Sequence, residues 1–513
     1  MSIGMPDAAS LARISDSYGL GITASEMEIY QAAAGGLLGS WNRVEELYNQ
    51  VAPIPPEREW ASPDPSENEN NGWYVTTDIR ETTEGPLAGC RIAIKDNTAV
   101  AGVPMMNGSR TVEGFVPAED ATVVRRLLDA GAIVSGKSTC EDLCFSGGSH
   151  TSKPHAVKNP WDRTRSAGGS SSGSAALVAN GDVDMAVGGD QGGSVRMPAA
   201  WCGVVGHKPT HGLVPYTGAF PIEQSVDHLG PIARTVTDVA LMLSVVAGVD
   251  GHDPRQPSTI EKVDYVAALQ ESTSGLRIGV VQEGFGRPES NAESDAVVRR
   301  AVEQLTSAGL SSEEVSIPWH LDGAAVWDVI ATEGATFQMV DGNAYGMNWK
   351  GKYDPELIAY YGNRWRNDAS QFSETVKLVA LAGRHALDTQ YGRHYAMART
   401  LAARLAEAYD DALERFDVLV MPTMPMLPTV LPPDNAPVDE VLGRGLEMLG
   451  NTCPFDVTGH PACSVPAGTS DGLPVGLMII GRQFDDATVL QVAHALETAV
   501  GGFPTPQTTR SMA

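Results

Sequence analysis

At 513 residues the chain is too long for one minimal domain, and 42% apolar with 19% charged residues places it with globular proteins, not disordered or fibrous ones. A formal net charge of -27 argues against a nucleic-acid partner, since phosphate binding needs basic patches; its plain reading is solubility. No 18-residue apolar run exists to span a membrane, and six cysteines are too few for a disulfide framework, so reduced thiols and a cytoplasmic protein are expected; the first residues, Met1-Ser2-Ile3-Gly4-Met5-Pro6-Asp7, also lack a signal-peptide pattern.

Residues 9–50 read as largely helical, Ala-rich and with apolar residues spaced helically from Trp41 through Tyr48. The breakers Pro53-Ile54-Pro55-Pro56 and Ser62-Pro63-Asp64-Pro65 then read as a surface linker. A boundary near residue 70 divides an N-terminal helical segment and linker, 1–70, from a catalytic domain, 71–513. The N-terminal piece is too small and amphipathic to stand alone, so it is expected to pack on the core or on a second subunit.

From about residue 73, short apolar runs alternate with amphipathic helices. Strands are predicted at 91–95, 132–134, 184–188, 276–281 and 417–421, with helices at 121–130, about 293–308 and about 390–415. This alternation predicts an α/β layered fold with helices on both sheet faces. The stretch 320–390, rich in Trp, Tyr, Asn and Gly, reads as an insertion shaping a pocket. Cys140 and Cys144 share helical spacing but have no His pair at ligand spacing, so they read as buried structural thiols, and no metal is expected.

Three segments carry chemistry: Ile92-Ala93-Ile94-Lys95-Asp96-Asn97, Gly168-Gly169-Ser170-Ser171-Ser172-Gly173-Ser174, and Gly188-Gly189-Asp190-Gln191-Gly192-Gly193-Ser194-Val195-Arg196-Met197-Pro198. Two serines and one lysine, with consecutive glycines before the second serine, describe a hydrolase. Such glycines leave backbone N–H groups free to face a developing oxyanion, and a buried lysine can serve as a base.

Together with Gly203-Val204-Val205-Gly206-His207-Lys208-Pro209-Thr210, Asp227-His228-Leu229-Gly230-Pro231 and Gly472-Leu473-Pro474-Val475-Gly476-Leu477, these segments resemble the amidase signature family, the Ser–cisSer–Lys amide hydrolases. The resemblance covers about residues 73–500. Val103-Pro104-Met105-Met106-Asn107-Gly108-Ser109-Arg110 and the N-terminal helical segment resemble the bacterial amidases that accompany nitrile hydratases. It implies an amidase-signature fold, with a mixed, mostly parallel sheet flanked by helices. It also implies hydrolysis of carboxamide C–N bonds through an acyl-serine, with no cofactor and a small-molecule amide or carbamate as substrate. A homodimer through the N-terminal helices is implied in the same way.

Carried over residue by residue, Ser194 is the nucleophile, Ser170 the bridging acid/base after a cis peptide bond, and Lys95 the general base. The backbone N–H groups of Gln191, Gly192, Gly193 and Ser194 line the oxyanion hole. Because a neutral lysine is needed, activity is expected to rise toward alkaline pH. Asp190 and Arg196 are expected to brace the turn as an ion pair, and Ser171 to bond the lysine or shape its loop. His207 and His228 are expected in the core. Phe145, Gln191 and Trp327 are candidates for the substrate pocket.

The chain departs from the family pattern at Ser172, where the serine loop usually has glycine, and at Gln191, which adds a side-chain amide near the scissile group. The same machinery would serve a urethanase or aryl acylamidase cleaving carbamates, anilides or esters. A glutaminase subunit of a tRNA-dependent amidotransferase is a further reading. A phosphate loop at 168–173 lacks the Gly-Lys-[Ser/Thr] ending. A cysteine mechanism would use Cys202, or Cys144 with Glu141.

Overall fold

The computed structural model describes residues 3–344 and 350–506. They form two compact units, Met1–Pro55 and Pro56–Ala513. In the first, α1 (Ala8–Tyr18) begins at Asp7, whose carboxylate accepts from Ser10 N, and stops at Gly19 with φ +65°. A capping box between Thr23 and Glu26 restarts the chain as α2 (Ala24–Tyr48). The helical stretch anticipated over 9–50 is therefore a helical hairpin. Gly35 lets Met5 lie against α2; a Cβ there would stand 2.6 Å from Met5 Cε.

The unit boundary falls at Pro55–Pro56, ahead of residue 70, because residues 56–70 are tied into the larger unit. Arg58 pairs with Asp120 at 2.6 Å and Glu81 at 2.9 Å. Strand β1 (Trp60–Ala61) pairs with β2 (Trp73–Ile79).

The larger unit is built on one 12-stranded sheet. Its further strands are β3 (Arg91–Lys95), β4 (Ile133–Ser138), β5 (Met185–Asp190), β6 (Val205–Lys208), β7 (His228–Ala233), β8 (Arg277–Val281), β9 (Ser311–Val315), β10 (Val418–Pro422), β11 (Ala462–Ser470) and β12 (Leu473–Ile480). The spatial order is β1-β2-β4-β3-β5-β7-β6-β11-β12-β10-β8-β9. The sheet is mixed, as expected, but parallel pairing is confined to β3 with β4 and β5, and β8 with β9 and β10. The other pairs are antiparallel, so parallel pairs are the minority. The antiparallel pairs are β1 with β2, β2 with β4, and the unbroken series β5-β7-β6-β11-β12-β10.

The near-continuous apolar strands follow from burial on both faces. In β10, Val418 and Val420 enter one core while Leu419 and Met421 enter the other. β12 does the same, with Leu477 and Ile479 on one side and Met478 and Ile480 on the other. Lys95 ends β3 and Asp190 ends the adjacent parallel β5, so both deliver their side chains at one edge of the same layer.

Candidate active site

Lys95 is fully buried. Its Nζ donates to Ser170 Oγ at 2.8 Å and to Gly189 O at 3.1 Å. Nearby Lys137, also buried, is neutralised by Asp96 at 2.8 Å. Lys95 instead meets a hydroxyl and a carbonyl.

Ser170 lies in the loop before α4, the helix Ser172–Asn180, and the Gly169–Ser170 peptide bond is cis, as the resemblance implies. Gly169 leaves no room for a side chain: a Cβ would stand 2.8 Å from the carbonyl oxygens of Ser146 and Gly148. Ser171 shapes this loop and does not contact the lysine directly. Its Oγ donates to Gly189 O at 3.1 Å, the carbonyl Lys95 also uses, and its N–H donates to Ser194 O at 3.2 Å. Ser172 has a partner of its own, donating to Glu141 at 2.9 Å. Burial pushes the Glu141 carboxyl up to about 7 despite donors from Thr151 and Ser172.

Ser194 sits in the turn between β5 and the helix Arg196–Cys202. Asp190 and Arg196 brace it, both fully buried, with guanidinium–carboxylate contacts at 3.0 Å. Burial alone would raise the Asp190 carboxyl; the Arg196 charge overrides it and holds the group well below its ordinary range. Arg196 also reaches Asp456 at 2.6 Å and Thr452 O at 2.9 Å. Burial and the Asp190 charge push the Asp456 carboxyl well up.

The orientation of each peptide in the turn follows from what its carbonyl meets. Trp327 Nε1 donates to Gln191 O at 2.6 Å, Thr452 Oγ1 to Gly192 O at 2.6 Å, and Met197 N to Gly193 O at 2.7 Å. A trans peptide points its N–H opposite its C=O. Among the described residues, the N–H groups of Gln191, Gly192 and Ser194 have no protein acceptor, which suits an oxyanion hole. Gly193 is a correction: its N–H donates to Asp190 Oδ1 at 2.5 Å and belongs to the bracing of the turn. What position 193 needs from glycine is backbone freedom, with φ +132° and a would-be Cβ 2.3 Å from Thr452 Oγ1.

A pocket of about 390 Å³ opens beside Ser194, walled by Cys144, Phe145, Gln191, Ile222, Trp327 and Leu449 among others. It gathers the three candidate lining residues, with the Phe145 and Trp327 rings 6.3 Å apart. Trp327 lies on the helix Gly323–Ala335, inside the stretch read as a pocket-shaping insertion. His207 and His228 are buried in their own networks, His207 with Asp486 at 2.9 Å and His228 with Val226 O at 2.7 Å. Burial and neighbouring Lys208 drive the His228 imidazole well down, so it is neutral. Cys140 and Cys144 both donate to Asn107 Oδ1, at 3.5 and 3.3 Å.

A protein-family model described as Amidase matches residues 44–490. The chain belongs to the amidase family. This amidase is 55% identical over 509 residues to an enantioselective amidase of Rhodococcus rhodochrous, covering 98% of each chain. Among solved structures it resembles a glutamyl-tRNA(Gln) amidotransferase subunit of Thermotoga maritima, at 30% identity and a TM-score of 0.71, covering 86% of this chain and 92% of that one. It also resembles the peptide amidase of Stenotrophomonas maltophilia, at 30% identity and a TM-score of 0.67, covering 83% and 85%. The protein is a hydrolase of carboxamide C–N bonds with a small-molecule amide substrate. No helix among the described residues is long and apolar enough to cross a membrane.

Sequence reasoning missed Thr452 and Asp456. Both lie far along the chain from the turn they support, and no spacing in the sequence marks them.

Proposed function

We propose that this amidase works through Ser194, Ser170 and Lys95 on small carboxamides with an apolar or aromatic acyl group. Ser194 Oγ attacks the carbonyl carbon as its proton passes to Ser170, whose own proton passes to Lys95. The oxyanion is met by the N–H groups of Gln191, Gly192 and Ser194. The proton returns through Ser170 to the leaving nitrogen, the C–N bond breaks, and ammonia or an amine departs. Water, activated by the same relay, then releases the acid from the acyl-serine. The observation carrying this reading is the 2.8 Å hydrogen bond from Lys95 to Ser170, beside a pocket that Ser194 lines. The name of the Rhodococcus relative supports discrimination between enantiomers, for which a pocket walled by the Phe145 and Trp327 rings is suited.

The test compares wild type, Ser194→Ala, Ser170→Ala and Lys95→Ala on benzamide, a short aliphatic amide, an aryl anilide, an aryl carbamate and glutamine. Wild type is expected to prefer the small carboxamides. Ser194→Ala is expected to lose turnover on all of them, and the other two variants to fall by about 10²-fold or more. Retained activity in Ser194→Ala would return the cysteine mechanism. Preference for the carbamate would make the protein a urethanase, and glutaminase activity only with added subunits would make it an amidotransferase component.

The N-terminal helices support a homodimer through exposed apolar side chains, including Leu37, Trp41 and Val44. The six free cysteines support a reducing, cytoplasmic setting.

A further inference from the structure

Gln191 carries a buried hydrogen-bond acceptor that the protein leaves unused. Its side chain is 5% exposed and lines the pocket with Ser194. Its Nε2 donates to Tyr216 Oη at 3.1 Å, and Tyr216 Oη donates to Phe220 O at 3.1 Å. The tyrosine's one proton is thus spent on Phe220, so the group facing Tyr216 must be the donor end of the Gln191 amide. That fixes the amide orientation and leaves Oε1 aimed elsewhere, with no partner among the described residues. A buried acceptor without a partner calls for an explanation, and one that lines the pocket beside Ser194 is placed to be completed by a bound molecule.

The side-chain direction identifies the face. Residues alternate across a strand, and Asp190 points toward Arg196. Gly189 faces the other way: a Cβ there would stand 3.1 Å from Asn97 Nδ2 and 3.5 Å from Lys95 Nζ. Gln191 lies just past the strand end, and its contacts put it on the same side: Tyr216, which it meets, bonds Phe220 O, and Phe220 N–H donates to Asn97 O at 2.7 Å. The departing nitrogen must also come to this side, because its proton arrives from Ser170, which Lys95 holds.

We propose that Gln191 Oε1 accepts a hydrogen bond from an N–H of the scissile carboxamide, making Gln191 the residue that favours amides over esters. The proposal rests on the acyl-serine reading above. Holding one N–H on Oε1 turns the nitrogen lone pair toward the Ser170 hydroxyl, where it takes its proton. An ester has no N–H here and would set its alkoxy oxygen against the glutamine oxygen. Sites built to bond a substrate N–H discriminate strongly against analogues that lack it. Gln191 acts by positioning; no bond to it forms or breaks.

The experiment measures kcat/KM for a primary carboxamide and the methyl ester of the same acid in wild type and Gln191→Met. Methionine keeps the length and the backbone N–H but removes the acceptor. Amide kcat/KM is expected to fall at least tenfold more than ester kcat/KM. Equal losses on amide and ester, which leave the amide-to-ester ratio unchanged, would assign Gln191 a structural role and overturn the proposal, as when a water bridges Oε1 to Asn97 Nδ2. Retained ester turnover shows that the variant is folded. Failure of the acyl-serine reading is seen separately, as activity surviving in Ser194→Ala.

Discussion

At the scale of single residues, the turn before Ser194 is held by side chains outside the proposed proton relay. Trp327 is one: its Nε1 pins Gln191 O at 2.6 Å. Trp327→Phe keeps the aromatic wall and removes the donor, so kcat is expected to fall roughly tenfold, as for loss of one buried hydrogen bond, with KM changing less. Asp190 is another. Asp190→Asn leaves Arg196 facing a weaker partner inside a fully buried network. Breaking such a pair costs about 3–5 kcal/mol, to be read in denaturant melts, and turnover is expected to fall with the disturbed oxyanion donors. Asp142 gives a pH prediction. Burial pushes its carboxyl from 3.8 up to about 8. The folded state therefore keeps a proton that the unfolded chain has released, and the stability this gives is lost as pH rises through about 8. Asp142→Asn, neutral at every pH, is expected to flatten the decline of Tm between about pH 5 and pH 8. An unchanged Tm slope would show that the carboxyl is already ionised in the folded protein.

At the scale of elements, α2 presents Tyr30, Leu37 and Val44 at seven-residue spacing, 56%, 65% and 65% exposed. A seven-residue apolar repeat on one helix face is the pattern of a helix–helix seam. Leu37→Asp with Val44→Asp is expected to turn a dimer into a monomer in light scattering, while the Lys95–Ser170–Ser194 cluster keeps its turnover. Wild type running as a monomer at micromolar concentration would remove the dimer. Elements were legible in the sequence where punctuation and period agreed. β3 at 91–95 and α3 (Thr122–Asp129), followed by Gly131, fall where the pattern placed them. The β11–β12 hairpin was overlooked although its turn is written as Asp471-Gly472, with φ +52° and +76°. β12 and the first half of β11 are buried on both faces, so their apolar runs lack the alternation that marks a half-exposed strand.

At the scale of the whole molecule, the proposed site was legible because its residues sit in short motifs: Lys95 at a strand end, Ser170 in a glycine loop, Ser194 in a glycine turn. Its supports were not, because packing alone unites them. Thr452 and Asp456 meet Arg196 from more than 250 positions away, and nothing local to Asp456 distinguishes it from other acidic residues near a helix start. The unit boundary was misplaced for the same reason. Pro63 and Pro65 read as linker, yet the ion pairs of Arg58 already bind that stretch to the larger unit.

The strand order has a consequence for how the enzyme is made. The last two strands in sequence, β11 and β12, lie mid-sheet between β6 and β10. A chain emerging from the ribosome exposes Lys95, Ser170 and Ser194 early, but the two halves of its sheet stay unjoined, and Arg196 lacks Asp456, until this late hairpin slots in. Activity is therefore expected to wait until this hairpin has been translated. Nascent chains arrested before residue 460 are expected to be inert in a coupled translation assay, and prematurely terminated chains leave no partly active hydrolase behind.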